Sequence, residues 1–219
     1  MDLPTALLTL MHVLVFVYWL GGDMGAFYSS NFMIDPKRSV PERIMALKIL
    51  NNVDMAPRTA LILALPTGVA LAWMKGLLAV PNYVPGLVAI FCLGWLAVAW
   101  TVHLKHGGGA GFKRVDIAIR WIMLVALYGF GFAGVFKAID LPLFIAFKLI
   151  ILATCVGLGL WVRRQLVPLF IAFREMVATG PTPATDSAIE AANGRARILV
   201  LTLWGLLLAA AYLGIAMPV

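Results

Sequence analysis

Residues 4–32 read PTALLTLMHVLVFVYWLGGDMGAFYSSNF. No Lys or Arg occurs among them, and the first basic residue of the chain is Lys37. A helix needs roughly 20 apolar residues to cross the hydrocarbon of a bilayer. This stretch exceeds that length by several turns, so it is expected to tilt or to project past one boundary. A cleaved leader carries a basic n-region and a small-residue cleavage site. The opening MDLPTALL has an acid and no base, and the segment reads as a retained transmembrane helix.

The rest of the chain repeats the pattern. Further apolar spans fall at about 57–80, 84–104, 118–138, 141–163 and 197–217. The composition agrees: 63% hydrophobic, 12% charged, mean hydropathy +0.97, against about a quarter charged in soluble domains. The expected fold is all-α, a six-span polytopic transmembrane bundle forming one domain over residues 1–219. Cys92 and Cys155 lie inside spans and read as small hydrophobes rather than a redox pair.

Charge placement sets the orientation. Of the 17 Lys and Arg, 14 lie in or beside the first, third and fifth connections. The positive-inside rule puts those connections in the cytoplasm and both termini outside. The net charge of +7 is thus a topology signal, and nucleic acid is not an expected partner. The expected location is a bacterial-type inner membrane, crossed several times.

Local signals refine the spans. PERIMALKILNNVDM, within the first connection, suits a short interfacial helix. Asp54 and Pro57 suit the cap and first turn of the second span. Pro66 should kink that span, with Thr67 and Gly68 beside the opening. KHGGGAGFKR, after the third span, is a glycine-rich turn without the context of a phosphate loop. Gly129, Gly131 and Gly134 in the fourth span allow close approach of a helix or flat ligand. Asp140 and Pro142 start the fifth span. The long connection 164–196 holds Ser187 and Glu190 at capping-box spacing, expected to start a helix leading into the last span. Spans two–three and four–five form similar hairpins.

Ionisable groups inside spans are costly and normally face the bundle interior or a cavity. His12, Asp23 and Lys148 stand out. Eleven residues separate His12 from Asp23, so the two differ by only about 20° around a helix. Phe16 and Trp19 lie near the same stripe, and Gly21 and Gly25 on roughly the opposite side, at helix-packing spacing. His12 is about eight residues, ~12 Å, inside the outer end of the first span. Lys148 is about as deep in the fifth, and the two are expected to face each other or a shared ligand. Asp23, roughly 16 Å further in, is expected to pair with Arg58 or Arg120.

The alternatives stay open at each position. His12 suits metal or haem ligation, or a hydrogen bond to a neighbouring helix; Lys148 suits a functional site or snorkelling. His103 and His106 share a face beside Lys105 and suit an interfacial role or metal ligation. Trp95, Trp100, Trp121 and Tyr128 suit belt or core positions.

Three stretches resemble known membrane families. His12 to Gly22 (HVLVFVYWLGG) is similar to the opening helix of the CopD and HemJ families. Met55 to Leu71 (MAPRTALILALPTGVAL) resembles a HemJ-type helix with a proline near its start and an internal glycine. Phe147 to Arg164 (FKLIILATCVGLGLWVRR) resembles a CopD-domain helix. HemJ-like proteins are haem b-binding oxidoreductases that convert protoporphyrinogen IX to protoporphyrin IX, with a His in the first helix and a Lys in a later one. The resemblance implies those roles for His12 and Lys148. This chain has a hairpin more than the HemJ pattern, so the expectation is a haem b pocket with a redox role: His12 as metal ligand, Trp19 and Tyr128 beside the cofactor, Lys148 as the catalytic residue. His103 at the other end would serve a second haem. The implied partners, besides the bilayer, are a quinone or other membrane redox partner and a second copy or further subunits of a membrane complex. CopD resemblance implies copper uptake or resistance instead, for which Met11, Met24, Met33 and Met55 are available soft ligands. A third reading is a non-catalytic subunit of a membrane complex.

Overall fold

In lipid, backbone N–H and C=O groups have no water to bond, so each segment must satisfy its own. The computed structural model, which describes residues 2–105 and 110–217, meets this with helices alone among the described residues. They are α1 (Leu3–Ile34), α2 (Val40–Val53), α3 (Met55–Met74), α4 (Val84–Leu104), α5 (Ala110–Val135), α6 (Leu143–Gln165), α7 (Val167–Thr179) and α8 (Pro183–Ala216). Six of these, all but α2 and α7, supply stretches long and apolar enough to cross a membrane. His106 and most of the glycine-rich turn lie outside the described residues.

The six long helices form a closed ring in the order α1, α3, α4, α5, α6, α8, with α3 and α6 touching across its middle. Its core gathers Trp19, Ile62, Cys92, Trp95, Leu127, Ala153, Cys155, Val156 and Leu203, among others. Both cysteines are free and buried, as small hydrophobes would be. Glycines set the closest approaches. A Cβ on Gly131 would come 2.6 Å from Ile150, and one on Gly134 2.9 Å from Ala146, so α5 and α6 nearly touch. Gly129 faces open space. On α1 the tight residue is Gly22, against Ala56 and Pro57, with Gly25 against Val53; Gly21 meets nothing. The packing pair on α1 is therefore Gly22 and Gly25 rather than Gly21 and Gly25.

A second, smaller core lies beyond the ring at the end away from the termini, called here the basic end. It joins Met33 of α1, Ala46 of α2, Leu169, Phe173 and Met176 of α7, and Ile189 and Ala192 of α8. The excess length of α1 is thus used by projection. α2 forms where an interfacial helix is expected, opened by a capping box in which Ser39 and Glu42 bond reciprocally. These bonds, from the Ser39 hydroxyl and backbone N–H, hold the exposed Glu42 carboxyl below its usual range. α8 begins earlier than Ser187 and Glu190 suggest. Thr182 caps it, Thr185 completes the box and Pro183 occupies the first turn, so one helix runs from the second core through the last span.

Helix ends also differ from the expected spans, for a backbone reason. α3 stops at Met74 rather than near residue 80 because Gly76 turns left-handed at φ +68. Leu77 N–H then donates to Ala72 O (2.9 Å) and Gly76 N–H to Trp73 O (3.0 Å), a Schellman stop. α5 ends the same way around Lys137, where Ala138 N–H donates to Ala133 O (2.8 Å).

Three polar knots tie the ring together at the basic end. The buried Asp116 of α5 accepts from Trp95 Nε1 of α4 (3.0 Å), Arg120 Nε (3.0 Å) and Arg163 Nη1 of α6 (3.0 Å). Arg43, fully buried on α2, donates to Met33 O (2.8 Å) and Asp186 (2.7 Å), joining α1, α2 and α8. Arg197 of α8 donates to Phe27 O (3.2 Å), Ser30 Oγ (3.1 Å) and Asn31 of α1.

Removing one partner of a buried ion pair typically costs about 3–5 kcal/mol, because the other charge is left uncompensated. Asp116→Ala is therefore expected to lower thermal stability in detergent by about that much. Asp54→Ala, which breaks a part-exposed pair with Arg58, should cost under about 1 kcal/mol. Equal losses in thermal unfolding would contradict a structural role for the Asp116 knot.

Candidate functional site

The end of the ring carrying both termini holds a different set of polar residues. Thr67 follows Pro66, which removes one backbone donor from α3 without ending the helix. The Thr67 hydroxyl donates to Leu63 O at 2.7 Å, one turn back. His12 Nδ1 lies 2.8 Å from the same oxygen. A threonine has a single O–H proton. With that proton on Leu63 O, Thr67 Oγ1 accepts from His12 Nδ1–H; with it turned to the imidazole, Nδ1 accepts instead. His12 Nε2 makes no hydrogen bond among the described residues.

The space around the ring is provided by Gly68. A Cβ there would lie 3.3 Å from His12 Cε1, so any side chain at residue 68 would press on the imidazole. A second glycine does the same for Lys148, whose Nζ lies 2.9 Å from where a Cβ on Gly214 of α8 would stand. Lys148 has no hydrogen bond or ion pair among the described residues. His12 and Lys148 are within electrostatic reach of each other, as is Lys75 just past the end of α3, and no acidic group is among those acting on them. His12 of α1 and Lys148 of α6, with Lys75 just past α3, thus lie toward the same end of the bundle.

The other candidates lie elsewhere. Trp19 is buried in the main core, two turns further along α1. Tyr128 bonds Thr154 Oγ1 across to α6 (2.9 Å) and stacks on Phe132; α5 is not a neighbour of α1 in the ring. His103, in the last turn of α4, meets Trp100 edge-on at the basic end. His12 and His103 therefore do not share a site. The methionines do not assemble: Met11 and Met24 are exposed, while Met33 and Met55 are buried at separate places. Among the described residues no three His, Cys, Asp or Glu gather as a metal site.

Asp23 is not paired as expected. Arg58 bonds Asp54 and Arg120 bonds Asp116, each four residues away on or beside its own helix. Such i,i+4 pairs are held in register by the helix, and they leave no cation for Asp23. It interacts with the Trp19 indole one turn back, and its Oδ2 is buried without a partner.

Two residues of consequence fall outside the expected site set, and they differ in how much signal the sequence carried. Thr67 was legible as a neighbour of the proline opening, but its bond to His12 spans 55 residues. Asp116 is the only acid between Asp54 and Asp140 and stands four before Arg120, a spacing from which that pair was readable.

The residues here that could hold a cofactor are one imidazole and one lysine without an ion pair among the described residues. For haem, His12 Nε2 is the type of donor that iron takes, with its other ring nitrogen fixed by a hydrogen bond, as is general for ligating histidines. The unpaired Lys148 suits a carboxylate. These residues fit one axial ligand and one counter-charge. Against known proteins, the chain matches no family model, no curated protein and no solved structure.

Proposed function

We propose that this chain is a haem b-binding integral membrane protein with a redox role, similar in its site to HemJ-like protoporphyrinogen oxidases. The observation that carries this reading is the hydrogen bond between His12 Nδ1 and Thr67 Oγ1, a hydroxyl that also reaches Leu63 O. With the proton on Nδ1, Nε2 is the nitrogen that would take the metal, its partner nitrogen held by an outer hydrogen bond as is general for ligating histidines. Haem supplies one-electron chemistry when bound. The chain's residues do the rest: His12 binds, Thr67 orients the imidazole, Gly68 leaves the ring room, and Lys148 holds a carboxylate of cofactor or substrate. In a bacterial-type inner membrane, with the basic connections cytoplasmic, both termini and this site lie near the outer face. On this reading the electron acceptor would be a quinone or another membrane redox partner. Copper handling ranks lower, because the methionines are dispersed.

The visible spectrum of the purified protein is the test. A Soret band is expected in wild type and is expected to vanish in His12→Ala. A colourless protein with one equivalent of copper would overturn the haem reading. Thr67→Val keeps the shape but not the acceptor. Losing such an outer partner typically weakens metal affinity by about 10- to 100-fold, so haem titration of the apoprotein should show a drop of that size. Lys148→Met should retain the Soret band while losing turnover of a carboxylate-bearing substrate; unchanged turnover would reduce Lys148 to a snorkelling residue.

A further inference from the structure

A groove of about 170 Å³ opens at the basic end, between the last turns of α6 and the middle of α8, and is lined by Trp161, Gln165, Arg195, Ile198 and Leu199. It grades in polarity along its length. Ile198, Leu199 and the Trp161 ring lie toward the apolar part of the ring, and Arg195 with Gln165 toward the end where α6 stops. Trp161 is 55% exposed and Ile198 66% exposed, so the groove is open sideways to the membrane rather than into the bundle.

Its polar rim is cationic and incompletely satisfied. Arg195 Nε donates to Gln165 Oε1 at 3.2 Å, and its guanidinium makes no ion pair among the described residues. Arg164 is exposed and stands three residues after Trp161, on the same face of α6. The Trp161 indole N–H has no protein partner among the described residues, and a Cβ on Gly194 beside Arg195 would meet nothing. No acid lines the groove.

We infer that this groove is a binding site for an anionic phospholipid, with the phosphate against Arg195 and Arg164 and an acyl chain along Trp161, Ile198 and Leu199. Basic pockets between transmembrane helices recognise acidic head groups in this way, and interfacial tryptophans sit at head-group level. A zwitterionic head group fits less well, since its ammonium would meet Arg195 and no acid among the lining residues. The inference does not depend on the haem reading, which concerns the opposite end of the ring.

The test uses the full chain in phosphatidylcholine nanodiscs doped, at equal mole fraction, with brominated phosphatidylglycerol or brominated phosphatidylcholine. The Trp161 fluorescence is taken as the difference between wild type and Trp161→Phe. Brominated phosphatidylglycerol should quench it more strongly. A basic residue near an anionic lipid contributes a preference of roughly fivefold, so Arg195→Gln and Arg164→Gln should each reduce the preference by about that factor, while Arg195→Lys retains it. Equal quenching by the two lipids would make this ordinary annular contact and overturn the site. A preference that survives both glutamine substitutions would do the same. Loss of the preference with inorganic phosphate, at an ionic strength where chloride has no effect, would assign the site to free phosphate instead.

Discussion

A polar side chain in an apolar layer must find its partner on its own helix or on the one beside it, because no water is there to serve. Most of this structure follows from how that constraint is met. Asp116 answers it by collecting donors from α4, α5 and α6 around one carboxylate. Arg197 answers it by reaching the carbonyl and hydroxyl groups of α1. Each solution also fixes which helices are neighbours, which apolar contacts alone do not: lipid tails are as apolar as leucine, and helix association in lipid relies on packing and hydrogen bonds. The ring order is therefore written largely in a handful of polar residues.

The parts of the fold that were legible in the sequence are those set by length and local chemistry. Six spans, short connections on one side, a helix at PERIMALKILNNVDM and buried cysteines all follow from apolar runs and their interruptions. Helix ends were less legible because they turn on single residues: Gly76 halts α3 well before its apolar run ends, and Thr182 with Pro183 starts α8 ahead of a second capping pattern. α7 was not distinguished at all. Its sequence, VPLFIAFREMVAT, sits directly after an apolar span, and only the second core shows where its apolar face goes.

The candidate site was legible to a similar degree and for the same reason. Depth counting places His12 and Lys148 near one level, and the structure has them within electrostatic reach. Which hydrogen bond His12 makes was not readable, since it depends on α1 and α3 being antiparallel and in a particular register. Asp23 shows the limit from the other side. Two arginines were available to it in sequence, yet each already had an acid one turn away, and proximity along a helix outcompetes a contact across helices.

The two ends of the ring consequently treat charge in opposite ways. At the basic end, the buried arginines Arg43 and Arg120 each hold a carboxylate, as packing alone demands. At the other end Lys148 sits over a glycine, half-buried, with a histidine and a second lysine near it and no acid acting on it. Lys148 makes no ion pair among the described residues, toward the end of the bundle where His12 meets Thr67. An incoming anion would complete the electrostatics of that end just as Asp116 completes those of the other. The terminal end thus carries a cation without an ion pair among the described residues, while the Asp116 knot ties α4, α5 and α6 at the other.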